Sequence, residues 1–285
     1  MAVLNIVSIL SDQYYQLTAS ERKVCDYVLG HQRETQYMSI TELAEACGVA
    51  EATISRFCRR LELKGYNAFK LALAESTTEP DSSRLETSGA VCAEDSVPEM
   101  CQKLYNSDVS ALAQTLELIN PAAITKAAKL LAEAQRVYCM GQGGSMILAE
   151  EAAHLFSTVS PRFCAVQDSH MQAITTALLT ERDVLLFFSY SGSTKELIDV
   201  IQTAQGTGVK IILVTRFPKS PGTAHADVVL QCGDNEGPLQ AGSVPARMAQ
   251  LFLIDVLFSE MCRQTAENVE ENREKVALAL SERHL

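Results

Sequence analysis

The chain has 285 residues, of which 47% are apolar, and a formal net charge of −11. That length suits two compact domains better than one, and that apolar content excludes a chain disordered by default. The acidic balance excludes a protein coated in basic surface, so any contact with nucleic acid has to come from a local patch.

The nine cysteines are irregularly spaced, without a CxxC pair. They read as reduced thiols buried in apolar runs, Cys139 and Cys164 among them, and not as a disulfide frame or a zinc site. No metal and no cofactor is expected. The start of the chain is apolar but has no basic lead and no small-residue cleavage site, so it is not read as a secretion signal. Leu4, Val7 and Leu10 fit one face of a helix instead, and Leu4–Leu10 and the helix over 243–263 are candidate surfaces between subunits. No stretch has the length and apolarity of a membrane span; the run 182–189 suits a buried strand. The expected location is cytoplasmic, with no membrane partner.

Residues 1–75 show helical periodicity throughout. Thr18-x-x-Glu21 and Ser39-x-x-Glu42 have the spacing of capping boxes, which place helix starts near 19 and 40. Gly48 stops the second of these helices, because glycine accepts the left-handed conformation of a tight exit. A third helix follows from Glu51 to about Leu63. Ile54, Phe57, Cys58 and Leu61 fall on its core face. Ala52, Ser55, Arg56 and Arg59 fall on the opposite face, with Thr53 and Arg60 at the edges. From Arg56 to Lys70 there are five basic residues (Arg56, Arg59, Arg60, Lys64, Lys70) and one acidic, Glu62. Small groups followed by arginines suit a helix lying in the major groove of DNA; the plainer alternative is a solvated face.

The segment 76–98 is rich in Ser, Thr, Glu and Asp and holds Pro80 and Pro98, the composition of a linker. From 99 to 285, strand-length apolar runs alternate with helical patterns, the signature of a parallel sheet flanked by helices. The expected strands are Arg136–Met140, Arg162–Val166, Val184–Ser189, Lys210–Thr215 and Val228–Gln231. Helices are expected to start near Ser145, Ser169, Ser193 and Ser243, with two more over 100–118 and 121–134 before the sheet. A long helix over 243–263 and a charged tail from 266 follow it.

Two turns carry chemistry. Ser189–Thr194 (SYSGST) follows the most apolar strand and opens a helix, with Ser193-x-x-Glu196 at capping-box spacing. Hydroxyls of Ser189, Ser191 and Thr194 beside the free N–H groups of a helix start, with close backbone approach at Gly192, suit a phosphate. Gly141–Ser145 (GQGGS) is a second small-residue turn after a strand. A dinucleotide site competes for it, but the sixth position of the GxGxxG pattern is Met146, and Asp168 lies in a helix cap beyond the second strand.

The run MSITELAEACGVAEATISRFCRRLELKGYNAFKLAL, residues 38–73, resembles the helix-turn-helix of the RpiR family of sugar-responsive transcription regulators. The resemblance implies that helix 51–63 is the recognition helix, with Thr53, Ser55, Arg56, Arg59, Arg60 and Lys64 as DNA contacts. Ala50 departs from the family, which often has a capping serine there; losing that cap costs about 1 kcal/mol. Residues 122–262 resemble the sugar isomerase (SIS) domain, on VYCMGQGGS, QDSHMQ, SYSGSTKE and GPLQAGSVPARMAQLFLIDVLF. This implies phosphate contacts from Ser189, Ser191 and Thr194, with the Tyr190 backbone near. It also implies a sugar or phosphate contact at Ser145, with Gly143 and Gly144 in the same turn. His170 resembles a ligand-side histidine, Glu236 lies near a catalytic glutamate of enzymes of this fold, and Ser243 lines the pocket. The plainer readings are a helix-cap neighbour for His170 and a solvated carboxylate for Glu236.

The expected architecture is therefore an all-α helix-turn-helix domain over 1–75 and an α/β SIS domain with a five-stranded parallel sheet over 99–285. The expected function is regulation of transcription. The partners are operator DNA and a phosphorylated sugar effector, and the protein is a homodimer or homotetramer because operators are read by paired helices. The alternatives are an aldose–ketose isomerase fused to a DNA-binding unit and an oligomerisation scaffold with an empty site.

Overall fold

The computed structural model describes residues 6–77, 91–234 and 242–281. The chain divides into two compact units, one over Met1–Ser107 and one over Asp108–Asp234 with Val244–Leu285.

In the first unit, helices α1 (Ile6–Gln13), α2 (Ala19–Gly30), α3 (Gln32–Thr35), α4 (Ile40–Cys47), α5 (Glu51–Arg60) and α6 (Tyr66–Thr77) surround one apolar core. Both expected capping boxes form. Thr18 and Ser39 accept from the backbone N–H groups of Glu21 and Glu42, whose carboxylates accept in return. Gly48 ends α4 at φ 62°, ψ 43°, and the chain turns directly into α5. Phe57, Ile54 and Cys58 of α5 pack on Leu43, Val24, Val28 and Phe69, all buried. Burying one phenylalanine stabilises by about 2–3 kcal/mol. Burial also pushes the Cys58 thiol up to about 12 and those of Cys25 and Cys47 to about 11, so these sulfurs serve as packing groups. Leu4 lies outside the described residues. Ile6 and Leu10 are fully buried in the same core and Val7 is partly buried, so Leu10 packs inward within the unit.

Helix α7 (Val97–Leu118) leads towards the second unit in sequence, followed by α8 (Pro121–Glu133). The second unit is built on strands β1 (Arg136–Gly141), β2 (Phe163–Ala165), β3 (Asp183–Phe188), β4 (Lys210–Thr215) and β5 (Val228–Gln231). They form one parallel sheet in the order β2-β1-β3-β4-β5. Side chains alternate across it, so each face has its own core. Val137, Cys139, Leu186, Phe188, Ile212 and Val214 pack under α8, α9 (Gly144–Ser157) and α12 (Val244–Gln264). Met140, Leu185, Phe187, Ile211 and Leu213 pack on the other face against α11 (Lys195–Ala204), near α10 (Ser169–Ala177).

Three expectations change. The charged tail is a helix, α13 (Ala266–Ser281). The edge strand β2 is shorter than expected, because only Phe163–Ala165 find partners on β1. Cys164 is exposed, since an edge strand turns alternate side chains to solvent; Cys101 is exposed as well, and all nine cysteines are free.

Candidate functional sites

The two small-residue turns leave neighbouring strands. Gly141 pairs with Phe188 in register, so Gly141–Gly144 and Ser189–Thr194 emerge side by side at the carboxyl ends of β1 and β3. Connections from β1 and β3 run to opposite sides of the sheet, β1 towards β2 and β3 towards β4. This is the switch point at which open parallel sheets bind ligands.

Each turn ends in an open helix start. α9 begins after Gly143, at φ 54°, and no side chain caps it. α11 begins after Thr194, also without a side-chain cap. The expected box at Ser193–Glu196 does not form: the helix starts later, at Lys195, because the turn before it is committed elsewhere. Ser191 Oγ accepts from Ser193 N at 3.3 Å, and Gly192 N donates to Ser189 O at 3.1 Å. The contrast with α10 is direct. There Asp168 occupies its own helix start by accepting from Met171 N at 2.9 Å, as expected of a cap.

Two of the hydroxyls meet. Ser189 is buried, and its Oγ lies 3.5 Å from Thr194 Oγ1. Ser191, Thr194 and Ser145 are partly exposed, and Gly143 and Gly144 are exposed. His170 stands exposed on the first turn of α10. Ser243 is half-buried immediately before α12. Glu236 lies outside the described residues.

Residues with no local sequence signal hold these turns. Tyr190 O accepts from Thr215 Oγ1 and from Arg216 N, both at 3.0 Å. Gly192, at φ 60°, lies against Ser220 and Thr215, so a Cβ there would collide with the Ser220 side chain. Its carbonyl accepts from Gly222 N at 2.8 Å. The first turn is braced by Gln172 of α10, which is 1% exposed. Its Nε2 donates to Gly141 O and Val166 O, and its Oε1 accepts from Gln142 Nε2. The Tyr190 hydroxyl and Arg216 Nε both donate to Asp234 O, at 3.0 and 2.7 Å. Gly233 and Asp234 in turn donate to Thr115 and Gln114 of α7, so the second turn is tied to that helix.

In the first unit, α5 presents a basic face. Arg56, Arg59 and Lys64 are exposed, Ala52 is exposed between them and the helix start, and Ser55 is partly exposed. Two of the expected contact residues are engaged inward. Thr53 is buried and accepts from Arg56 Nη2 at 3.3 Å. Arg60 donates to Glu21 Oε2 at 3.2 Å and to Gln16 O at 2.5 Å, tying α5 to α2. Burial pushes the Glu21 carboxyl up, but hydrogen bonds from Thr18 and the Arg60 charge outweigh it and hold that carboxyl below its usual range. Lys70 is partly buried with its ammonium 5.6 Å from the Tyr66 ring centroid, and burial lowers its pKa. Like α9 and α11, α5 has no side-chain cap, because Ala50 stands at that position.

Among the described residues no cluster of three or more His, Cys, Asp or Glu side chains could hold a metal, and no helix is long and apolar enough to cross a membrane. Residues 4–80 match the model of the helix-turn-helix domain of the rpiR family, and residues 130–260 match that of the SIS domain. An uncharacterised HTH-type transcriptional regulator of Caldanaerobacter subterraneus subsp. tengcongensis is 33% identical over 281 residues, 99% of each chain. The HTH-type transcriptional regulator HexR of Pseudomonas aeruginosa is 28% identical over 256 residues, 89% of this chain and 87% of that one. The fold is shared with the Vibrio vulnificus NanR protein complexed with ManNAc-6P (TM-score 0.88, 24% identity, 98% of this chain and 99% of that one).

Proposed function

The chain belongs to the RpiR family of helix-turn-helix transcriptional regulators, and from that premise we propose that a phosphorylated sugar, held where α9 and α11 begin, sets its affinity for operator DNA. The observation that carries this reading is the pair of uncapped helix starts that follow neighbouring strands at the β1/β3 switch point, the second preceded by a turn bearing the hydroxyls of Ser189, Ser191 and Thr194. Each start presents the positive end of a helix dipole with no capping side chain, which favours a phosphate dianion; at α9 Ser145 N and Met146 N donate to Gln142 O and Gly143 O within the turn. Ser145, Gly143, Gly144 and His170 then face the sugar. The ManNAc-6P bound by NanR supports the ligand class.

On the DNA side, Ser55, Arg56, Arg59 and Lys64 make the contacts. Thr53 and Arg60 act indirectly, by fixing Arg56 and by fixing α5 on α2. The protein works as a cytoplasmic homo-oligomer, because paired recognition helices read paired half-sites. The effector favours one arrangement of those helices over another and so shifts operator affinity. The second unit is a receptor and not an isomerase: binding needs only the cradle, whereas isomerisation needs in addition a base poised over C1–C2.

A thermal-shift screen of hexose, pentose and N-acylated sugar phosphates tests the reading. A ligand at about 100 times its Kd adds about 2.7 kcal/mol to stability. The expected result is a clear shift for at least one member of the panel, abolished in Ser191→Ala. If no member moves the wild-type melting curve, or if Ser191→Ala shifts equally, the phosphate is not held at this turn.

A further inference from the structure

Glu51 is the first residue of α5, and its Oε1 accepts a 2.5 Å hydrogen bond from Thr41 Oγ1 of α4. Among the described residues it has no other partner, and its side chain is partly exposed, so Oε2 is uncommitted. It is an acceptor at the leading end of a helix whose other exposed polar groups are mostly donors. Glu51, Ser55 and Arg59 recur every four residues and share one stripe, running from carboxylate through hydroxyl to guanidinium.

We propose that Glu51 is a specificity-determining residue, its Oε2 accepting the exocyclic N4–H of a cytosine in the major groove. The proposal rests on the reading of α5 as the recognition helix. A carboxylate cannot lie over a phosphate, and it is repelled by the acceptor edge of guanine. The major groove offers it two amino donors, cytosine N4 and adenine N6. Adenine places its N7 lone pair beside N6, where a carboxylate meets repulsion, so cytosine is the base that fits. The Thr41 hydroxyl matters because it fixes the Glu51 side chain before DNA arrives, which reduces the entropy lost on contact. Arg59, two turns along the stripe, is matched by the acceptor edge of guanine. Each half-site therefore carries a cytosine at the end where α5 enters and an acceptor-rich base further along.

Selection of the full-length chain from a randomised duplex library, followed by sequencing, tests this without knowledge of the operator. The wild-type motif is expected to hold one position fixed as cytosine. Glu51→Ala should relax that position by about tenfold while the other positions hold. Glu51→Gln keeps the tie to Thr41 through Oε1 but turns an Nε2–H donor to the base in place of Oε2, so the position should change from cytosine to a base that offers an acceptor there. Melting curves of each variant establish that it is folded. If Glu51 serves only to join α4 to α5, Glu51→Gln leaves every position unchanged, and the proposal is overturned. Arg56→Ala separates the two layers of the argument. A motif altered by Arg56→Ala but by neither Glu51 variant removes the Glu51 assignment alone. A wild-type chain that enriches no motif, or a motif untouched by all three variants, removes the reading of α5 as well.

Discussion

The first unit gathers formal positive charge on one helix, with Arg56, Arg59 and Lys64 exposed along α5 and just beyond it. At its candidate site the second unit has hydroxyls and backbone N–H groups; neither turn contains a cation, and Lys195 follows the second as the first residue of α11. Both are proposed to meet phosphate, and the difference follows from what carries the phosphate. DNA is a long polyanion found by diffusion, and full charges act over a Debye length of about 10 Å. A single sugar phosphate must be told from other anions by shape, and neutral donors act only in contact. The same contrast divides the helix starts. Thr18, Ser39, Asn120 and Asp168 occupy the starts of α2, α4, α8 and α10, which are scaffold. The starts of α5, α9 and α11 have no such side chain, and all three are assigned to ligands; the four-residue α3 is uncapped as well and is scaffold.

Salt gives the largest effect with which to break this comparison. A dimer that sets about six cations against phosphates should lose on the order of a thousandfold in DNA affinity between roughly 50 and 200 mM salt. Sugar phosphate affinity over the same interval should change by no more than about threefold, since few full charges meet there. Fluorescence anisotropy for DNA and calorimetry for the ligand give both slopes. Equal slopes would mean that the second site also works by formal charge.

A smaller effect sharpens the position of Arg60 within the basic face. Its bonds to Glu21 and Gln16 predict that Arg60→Ala lowers stability by about 1 kcal/mol, after allowance for an exposed guanidinium, with a Tm lower by roughly 5 °C. Arg56→Ala should leave Tm unchanged. Because the Glu21 carboxyl is held below its usual range in the folded chain, its stabilisation is complete above about pH 4.3 and fades as pH falls further. Chemical denaturation of Glu21→Gln should therefore show a deficit at neutral pH that narrows in acid. A deficit of constant size would remove the charge from the explanation.

The sequence was most legible where structure is local. Thr18–Glu21 and Ser39–Glu42 are complete capping motifs within four residues, and both formed. The strand Lys210–Thr215 is a continuous apolar run bounded by polar neighbours, and it formed over those residues. Ser193–Glu196 has the same spacing as the true boxes, yet Gly192 is pinned by Ser220, Thr215 and Gly222 from a distant loop, and the helix starts later. Nothing near residue 193 encodes that. Gln172 was hidden for a similar reason: a glutamine on a short helix looks solvated until the sheet brings Gly141 and Val166 to it. Leu10 lies on the apolar helical face that its spacing predicts, yet it packs into the core of its own unit, because periodicity identifies an apolar face without identifying what covers it. Arg60 shows the same limit for charge, since its partner Glu21 is 39 residues away.

Operator affinity with and without a saturating sugar phosphate, measured at one salt concentration on the wild-type chain and on Ser191→Ala, bears most directly on control of the first unit by the second. The wild-type midpoint should move by about 5- to 150-fold, the usual range of allosteric coupling. Ser191→Ala should bind operator as the ligand-free wild type does and should not move. A variant that still responds, or a wild-type chain whose operator affinity ignores every sugar phosphate it binds, would contradict that control.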